Sequence, residues 1–308
     1  MSAADAAASA ARDPRGTKGL AEALGAYTIW GFLPLYLKPL QHIAPWEVVG
    51  ERVIWSVVLL MILLVVRKRL GEFRRVMTSP RLIGPLLASS VLIGANWLIY
   101  IWAVNNGHVL AASLGYFLNP LLNVVLGAAI LKEKLRPLQW AATGLAAVGV
   151  AILAFGAVET LWISVALAGT FGFYGLIRKM IDTGPMVGLA AETVLLLPFA
   201  VAFLLWWHSE PGRAAFGQGN MTDNLLLMGC GVVTAVPLLL FASAARKLPY
   251  STLGLIQYLA PTIVLLLGLF VYHEPLKQSQ IICFAFIWAG LGIYIYDSLR
   301  AVRAAKAG

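Results

Sequence analysis

Three ionisable residues stand inside long apolar runs, where a charge is hard to keep. They are Glu51 and Arg52 in the run 47–66, and Glu192 in the run 184–207. An acid or base held within hydrocarbon is a candidate for a task, because its burial is unfavourable by several kcal/mol. The fitting tasks are proton relay, gating or cation binding. At a helical rise of ~1.5 Å per residue, Glu51 lies roughly one turn from one membrane surface and Glu192 roughly two turns from the other. The structural alternative is that each reaches water at an interface, with Arg52 snorkelling beside Glu51. All three are coupling or gating candidates.

Uncharged polar and aromatic residues form the second group. Trp30, Asn96, Trp97, Tyr116, Asn119, Tyr174, Gln257 and Tyr258 all lie within apolar runs. Amides and phenols there need partners or water, so they should face the interior of a bundle and are candidates for lining a substrate cavity. Pro120, Pro237 and Pro261 each remove a backbone donor and are expected to break or kink their helices. Asn119→Ala and Tyr258→Ala test this group: a change in substrate affinity favours the cavity, a change in expression alone favours packing.

Other chemistry is missing from the pattern. The four histidines, His42, His108, His208 and His273, have no metal-ligand spacing and read as surface polar residues. Cys230 and Cys283 lie in apolar runs and read as packing residues. No paired His with Glu, no acid dyad and no phosphate-binding Gly-Lys-Ser/Thr loop occurs. No catalytic residue, metal or cofactor is therefore assigned, and ATP is not expected to drive the protein directly.

The elements that position these residues are membrane spans. The chain is 60% hydrophobic and 12% charged, against about a quarter charged in soluble domains. Ten apolar runs reach the ~20 residues that cross a bilayer: about 20–38, 47–66, 83–104, 109–131, 138–156, 160–177, 184–207, 224–244, 250–272 and 280–298. With the N-terminus inside, nineteen of the 23 Lys and Arg fall on the cytoplasmic side. Only Lys38, Arg213 and Lys277 fall outside, and Arg52 lies within a span. The positive-inside rule thus places both termini in the cytoplasm and explains the net charge of +9 without nucleic acid. Residues 1–19 read as a disordered basic cytoplasmic tail rather than a signal peptide, and 299–308 as a second tail. Trp46, Trp102, Trp140, Trp162, Trp206, Trp207 and Tyr272, near run ends, read as an interfacial aromatic belt.

The chain also repeats itself. Shifted by 141 positions, Pro120 meets Pro261, Glu133 meets Glu274, Gln139 meets Gln280, Gly149 meets Gly290 and Glu51 meets Glu192. Five spans per copy is odd, so the second copy must be inverted in the bilayer. The expected fold is all-α: ten transmembrane helices as two inverted five-helix repeats, 20–156 and 157–298. Such a pair can rock about a midplane site, as in alternating-access carriers. Gly144, Gly149, Gly290 and Gly292 are expected at close helix contacts, within a half or across a homodimer.

Seven runs in order resemble the RarD-type branch of the EamA family, in the drug/metabolite transporter superfamily. They are AYTIWGFLPLYLK (26–38), ERVIWSVV (51–58), LIGANWLIYIWAVNNGH (92–108), ASLGYFLNPLLNVVLG (112–127), FGFYGLIRK (171–179), GVVTAVPLLLF (231–241) and STLGLIQYLAPT (251–262). The likeness covers Gly19 to Asp297. It implies a multi-pass bacterial inner-membrane permease, with a cavity lined by helices one, three, four, six, eight and nine, and helices five and ten peripheral. Its partners would be a small-molecule substrate and the lipid bilayer. Relatives often carry His before the Arg of the second segment, where this chain has Glu51, so no role of that His carries over. The function expected is a secondary transporter, exporting small metabolites or drug-like amphiphiles. A passive channel or scaffold is the alternative, and an intramembrane enzyme the least favoured.

Overall fold

A computed structural model describes residues 14–210, 212–217, 220–273 and 277–307. Among them no strand occurs, and ten helices are long and apolar enough to span a membrane. A helix satisfies every backbone N–H and C=O within itself, as a water-free bilayer core requires. In chain order the spanning helices are Pro14–Leu37, Pro45–Val66, Pro80–Asn105, Val109–Ala129, Pro137–Ala154, Leu161–Met180, Pro185–His208, Met221–Ala245, the pair Tyr250–Gln257 and Leu259–Phe270, and Gln278–Ala307. Below they are the first to tenth spans. The second, third, fifth and seventh open on proline at the first turn, where its missing donor matters least.

Three boundaries differ from the sequence reading. The first span begins at Pro14, so residues 14–19 are helical rather than a disordered tail; residues 1–13 lie outside the described residues. The tenth helix continues to Ala307, through the segment read as a tail. The stretch from Arg67 to Leu82, read as a loop, contains a surface helix, Leu70–Met77. Its Leu70, Phe73, Val76 and Met77 recur on one face and pack into the main core, and the helix lies against the seventh span. That spacing is the signal the sequence reading passed over.

The spans are arranged with a regularity that matches the repeat. The fifth packs on the tenth, the second on the seventh and the fourth on the ninth. The fourth also packs on the sixth, the ninth on the first, the eighth on the first and second, and the third on the sixth and seventh. Exchanging each span with the one five places on returns these principal contacts, whereas the contacts of the fourth span with the fifth and of the sixth with the eighth have no counterpart of similar extent.

The 141-residue period extends to individual bonds. The amides of Ile130 and Leu131 both bond the Leu126 carbonyl, and those of Val271 and Tyr272 both bond the Leu267 carbonyl. Lys132 and His273 then follow in the left-handed region, at φ 57° and 53°. Gln139 accepts from the Arg136 amide at 2.9 Å, and Gln280 from the Lys277 amide at 2.9 Å. The shared glutamine is therefore a cap that closes the first turn of the fifth and tenth spans. Gly149 and Gly290 serve one seam: an added Cβ would lie 2.8 Å from the Cys283 carbonyl oxygen and 2.7 Å from that of Ala142, respectively. Gly144 and Gly292 meet nothing within 4 Å inside this chain, which leaves only the contact across a homodimer for them.

Glu133 ties the halves together. Its carboxylate accepts from the Tyr250 amide at 2.6 Å, the Ser251 amide at 2.9 Å and the Ser251 hydroxyl at 2.6 Å. It caps the N-terminus of the ninth span, where a negative charge also suits the helix dipole. Its repeat mates Glu274, and Leu276 for Leu135, lie outside the described residues. Glu133→Gln is expected to lower stability by ~2–3 kcal/mol, since a carboxylate with three donors cannot be replaced by an amide that must turn one N–H toward them. Thermal unfolding in detergent measures it, and an unchanged midpoint refutes the cap's importance.

Two of the three expected helix breaks do not occur. Pro120 and Pro237 sit inside continuous helices. The ninth span alone divides, at Tyr258, whose amide turns to the Leu255 carbonyl at 3.3 Å. A proline deletes one ladder bond, but the turns on either side can keep the helix continuous, as they do around Pro120 and Pro237. Near Pro261 the chain instead takes a single i to i−3 step.

Candidate functional site

Glu51 and Arg52, adjacent in sequence, serve different spaces, because consecutive helical residues point about 100° apart. Glu51 is buried, and its Oε2 accepts from Trp55 Nε1 at 2.8 Å. It borders a cleft of ≈ 260 Å³ between the second and seventh spans, with Trp55, Leu204, Leu205, His208 and Phe216. Just outside, the fully buried Glu47 accepts from the Ala215 amide at 2.8 Å and the Phe216 amide at 3.2 Å. Glu47 also meets His208 Nε2 at 3.0 Å. His208, read as a surface residue, is thus part of a latch that holds the loop after the seventh span onto the second.

Arg52 points the other way, toward the eighth and third spans. Its Nε donates to Thr234 Oγ1 at 2.8 Å, and its guanidinium lies 5.3 Å over the Trp97 ring. The Tyr100 and Tyr116 phenols lie within range of its charge, and their rings meet edge to face at 5.8 Å. The two tyrosines are 37% and 50% exposed, so the surroundings of Arg52 are open on their side.

The space next to this opening is filled. Trp30 packs against Phe171 at 5.7 Å and Phe241 at 5.8 Å, and Tyr174 stacks on Phe241 at 6.2 Å. Tyr27 completes an aromatic plug drawn from the first, sixth and eighth spans. Trp30 and Tyr174, the cavity candidates of the first and sixth spans, both lie within this aromatic cluster.

Beneath the plug lies Glu192, the repeat mate of Glu51. Ser89 Oγ donates to its Oε1 at 2.6 Å, Tyr174 Oη reaches its Oε2 at 3.4 Å, and Arg178 Nη1 lies 3.6 Å from Oε1. Arg178 and Glu192 are both fully buried. Arg178 was counted with the cytoplasmic cations, because an Arg at a span end ordinarily reaches water. Here it folds back and also bonds the Pro185 carbonyl at 3.1 Å. Nearby, Lys247 grips both Glu22 oxygens at 2.6 Å, and Lys179 donates to the carbonyls of Ala245 and Leu248. Arg246 bonds the Thr183 carbonyl.

The remaining polar candidates bond between helices. Asn96 donates to the Leu167 carbonyl and to Thr170, both at 2.9 Å, and Asn119 donates to the Ala168 carbonyl at 2.8 Å. Asn123, overlooked in the sequence, joins Asn119 to Gln257. Tyr258 is fully buried and donates to the Phe117 carbonyl at 3.2 Å, across the repeat period of 141 residues. The structure therefore gathers Trp97 and Tyr116 around Arg52, and leaves Asn119, Gln257 and Tyr258 in a closed seam between the fourth, sixth and ninth spans.

Among the described residues no group of three His, Cys, Asp or Glu could hold a metal ion. Both cysteines are buried and free. Of the belt residues, Trp102, Trp140, Trp162 and Trp206 are exposed.

The sequence matches the EamA-like transporter family twice, over residues 17–155 and 160–296. The chain belongs to that family. It is 46% identical over 287 residues to an uncharacterized transporter of Pseudomonas aeruginosa, covering 93% of this chain and 96% of that protein. It is 42% identical over 288 residues to Protein RarD of Escherichia coli strain K12, covering 93% and 96%. A solved crystal structure shares the fold at a TM-score of 0.70 and 18% identity, over 90% of this chain and 96% of that one. As an EamA protein of the RarD type, this chain is a multi-pass bacterial membrane transporter. Relatives in Pseudomonas aeruginosa, Vibrio cholerae and Bacillus subtilis are named as transporters.

Proposed function

We propose that this protein is an inner-membrane permease that exports small metabolites or drug-like amphiphiles by alternating access. Its two five-helix halves, 20–156 and 157–298, would be inverted in the bilayer, with both termini cytoplasmic. One observation carries the reading: the principal span contacts are kept when each span is exchanged with the one five places on. Two halves related in this way have two ways to lean on each other. The cation distribution along the sequence supports the inversion and the orientation.

In this reading the conformation described is sealed on the cytoplasmic side. The plug of Tyr27, Trp30, Phe171, Tyr174 and Phe241, the Arg178–Glu192 pair and the Glu22–Lys247 bridge form the closed gate. The Glu47–His208 latch and the cleft beside Glu51 belong to the opposite gate, with Glu51 placed to exchange a proton with the outside. A filled plug disfavours a passive channel, which needs a continuous path.

Counterflow in proteoliposomes tests the proposal. Solutes that differ between a deletion strain and an overexpressing strain are loaded inside and offered outside. A carrier is expected to show saturable uptake that is stimulated severalfold by internal substrate. Flux that neither saturates nor shows counterflow makes the protein a facilitator.

A further inference from the structure

We infer that Arg52 docks the carboxylate of an organic monoanion whose apolar or aromatic body lies against Trp97, Tyr100 and Tyr116. The inference deepens the permease reading and, for its transport consequence, rests on it. Arg52 carries a full charge within a span, where an uncompensated cation is strongly disfavoured. Its protein partners are one hydroxyl and one ring face: Nε donates to Thr234, and the Trp97 ring lies beside the guanidinium. Neither Nη group has a hydrogen-bond partner among the described residues, and no carboxylate lies within ion-pair distance of it. Glu51 is the nearest acid in sequence, but it is bonded to Trp55 and borders the other cleft.

Fixing Nε leaves the Nη1/Nη2 edge of the fork free. That edge matches the two oxygens of a carboxylate, giving two parallel charge-assisted bonds. The opening around it supplies the rest of a binding site. Tyr100 and Tyr116 present phenols and ring faces to that space, and Trp97 is already oriented by the cation. A cationic solute would meet like charge on entering these aromatics, and a neutral one would leave the guanidinium uncompensated. A dianion would need a second base, and the groups within range of Arg52 are the neutral Tyr100, Tyr116 and Cys230. A single negative charge on an apolar frame fits best.

The test uses the purified full chain and matched probes: indole-3-acetate and octanoate, their neutral amides, and tryptamine as the cation. Binding is read by calorimetry and by thermal stabilisation. At least one acid is expected to bind roughly ten- to a hundredfold more tightly than its own amide. Arg52→Gln is expected to abolish that preference, and Arg52→Lys to keep part of it. The acid–amide comparison on the unaltered protein stands even where a variant folds poorly. The inference is overturned if neither acid is preferred over its amide, if tryptamine binds best, or if folded Arg52→Gln keeps the preference. Acids that bind without counterflow would leave the inference standing and remove the carrier reading. Counterflow of neutral or cationic solutes alone would do the reverse.

Discussion

Glu192→Ala is expected to destabilise the protein by about 3–5 kcal/mol, because it strands the charge of Arg178 in a fully buried site. Arg178 is fully buried, and its other protein contacts are the Pro185 carbonyl and a long approach to Thr183. An intact pair of this kind adds little net stability, because desolvating two ions offsets most of their attraction. The asymmetry makes the experiment decisive. Arg178→Met combined with Glu192→Ala should recover most of the loss, since no charge then remains to be stranded. Unfolding midpoints in one detergent, compared across the two single variants and the double, give the coupling directly. Additive losses would show that the two side chains do not depend on each other. The same cycle bears on Glu192→Gln, which on sequence alone tests proton coupling. In this structure it also leaves Arg178 without its counter-charge, so its transport must be normalised to folded protein.

Gly290→Val should cost about 3 kcal/mol, and Gly149→Val should do nearly as much. At both positions the atom in the way is a backbone carbonyl of the facing helix, at 2.7 and 2.8 Å from the added Cβ. A carbonyl cannot swing aside as a side chain does, so the fifth and tenth spans must separate. Gly144→Ala and Gly292→Ala provide the internal control, as nothing stands within 4 Å of either. Exchanging glycine for alanine in an open helix face should raise stability by about 0.5–1 kcal/mol. If all four variants behave alike, the seam is not where the structure puts it.

The fold was largely legible in the sequence, and the reasons are specific. Twenty-residue apolar runs have one stable form in hydrocarbon, so the ten spans could be counted. A glutamine, a proline, a glycine and two glutamates recurring at one offset are not expected from composition alone. The sites were harder. Arg178 and His208 lie at span ends, where position in the chain cannot distinguish a solvated side chain from one folded inward. Glu47 looked like an ordinary first-turn acid, yet its oxygen holds two loop amides from far along the chain. Pro120 and Pro261 are the same residue at the same register with different outcomes, because a kink depends on the packing of its neighbours. Tyr100 and Thr234 carried no signal of their own. They matter only because Arg52 leans between the third and eighth spans, which spacing along one helix cannot show.

The unequal fate of those two prolines bears on how such a machine would idle. One copy has a helix divided at Tyr258, while its counterpart is unbroken. Were the halves to trade roles, the unbroken helix would have to divide and the divided one to close, and different side chains surround each. The two resting poses would then differ in free energy, so an empty protein would wait with one particular mouth open, and its affinity measured from the two faces would be unequal.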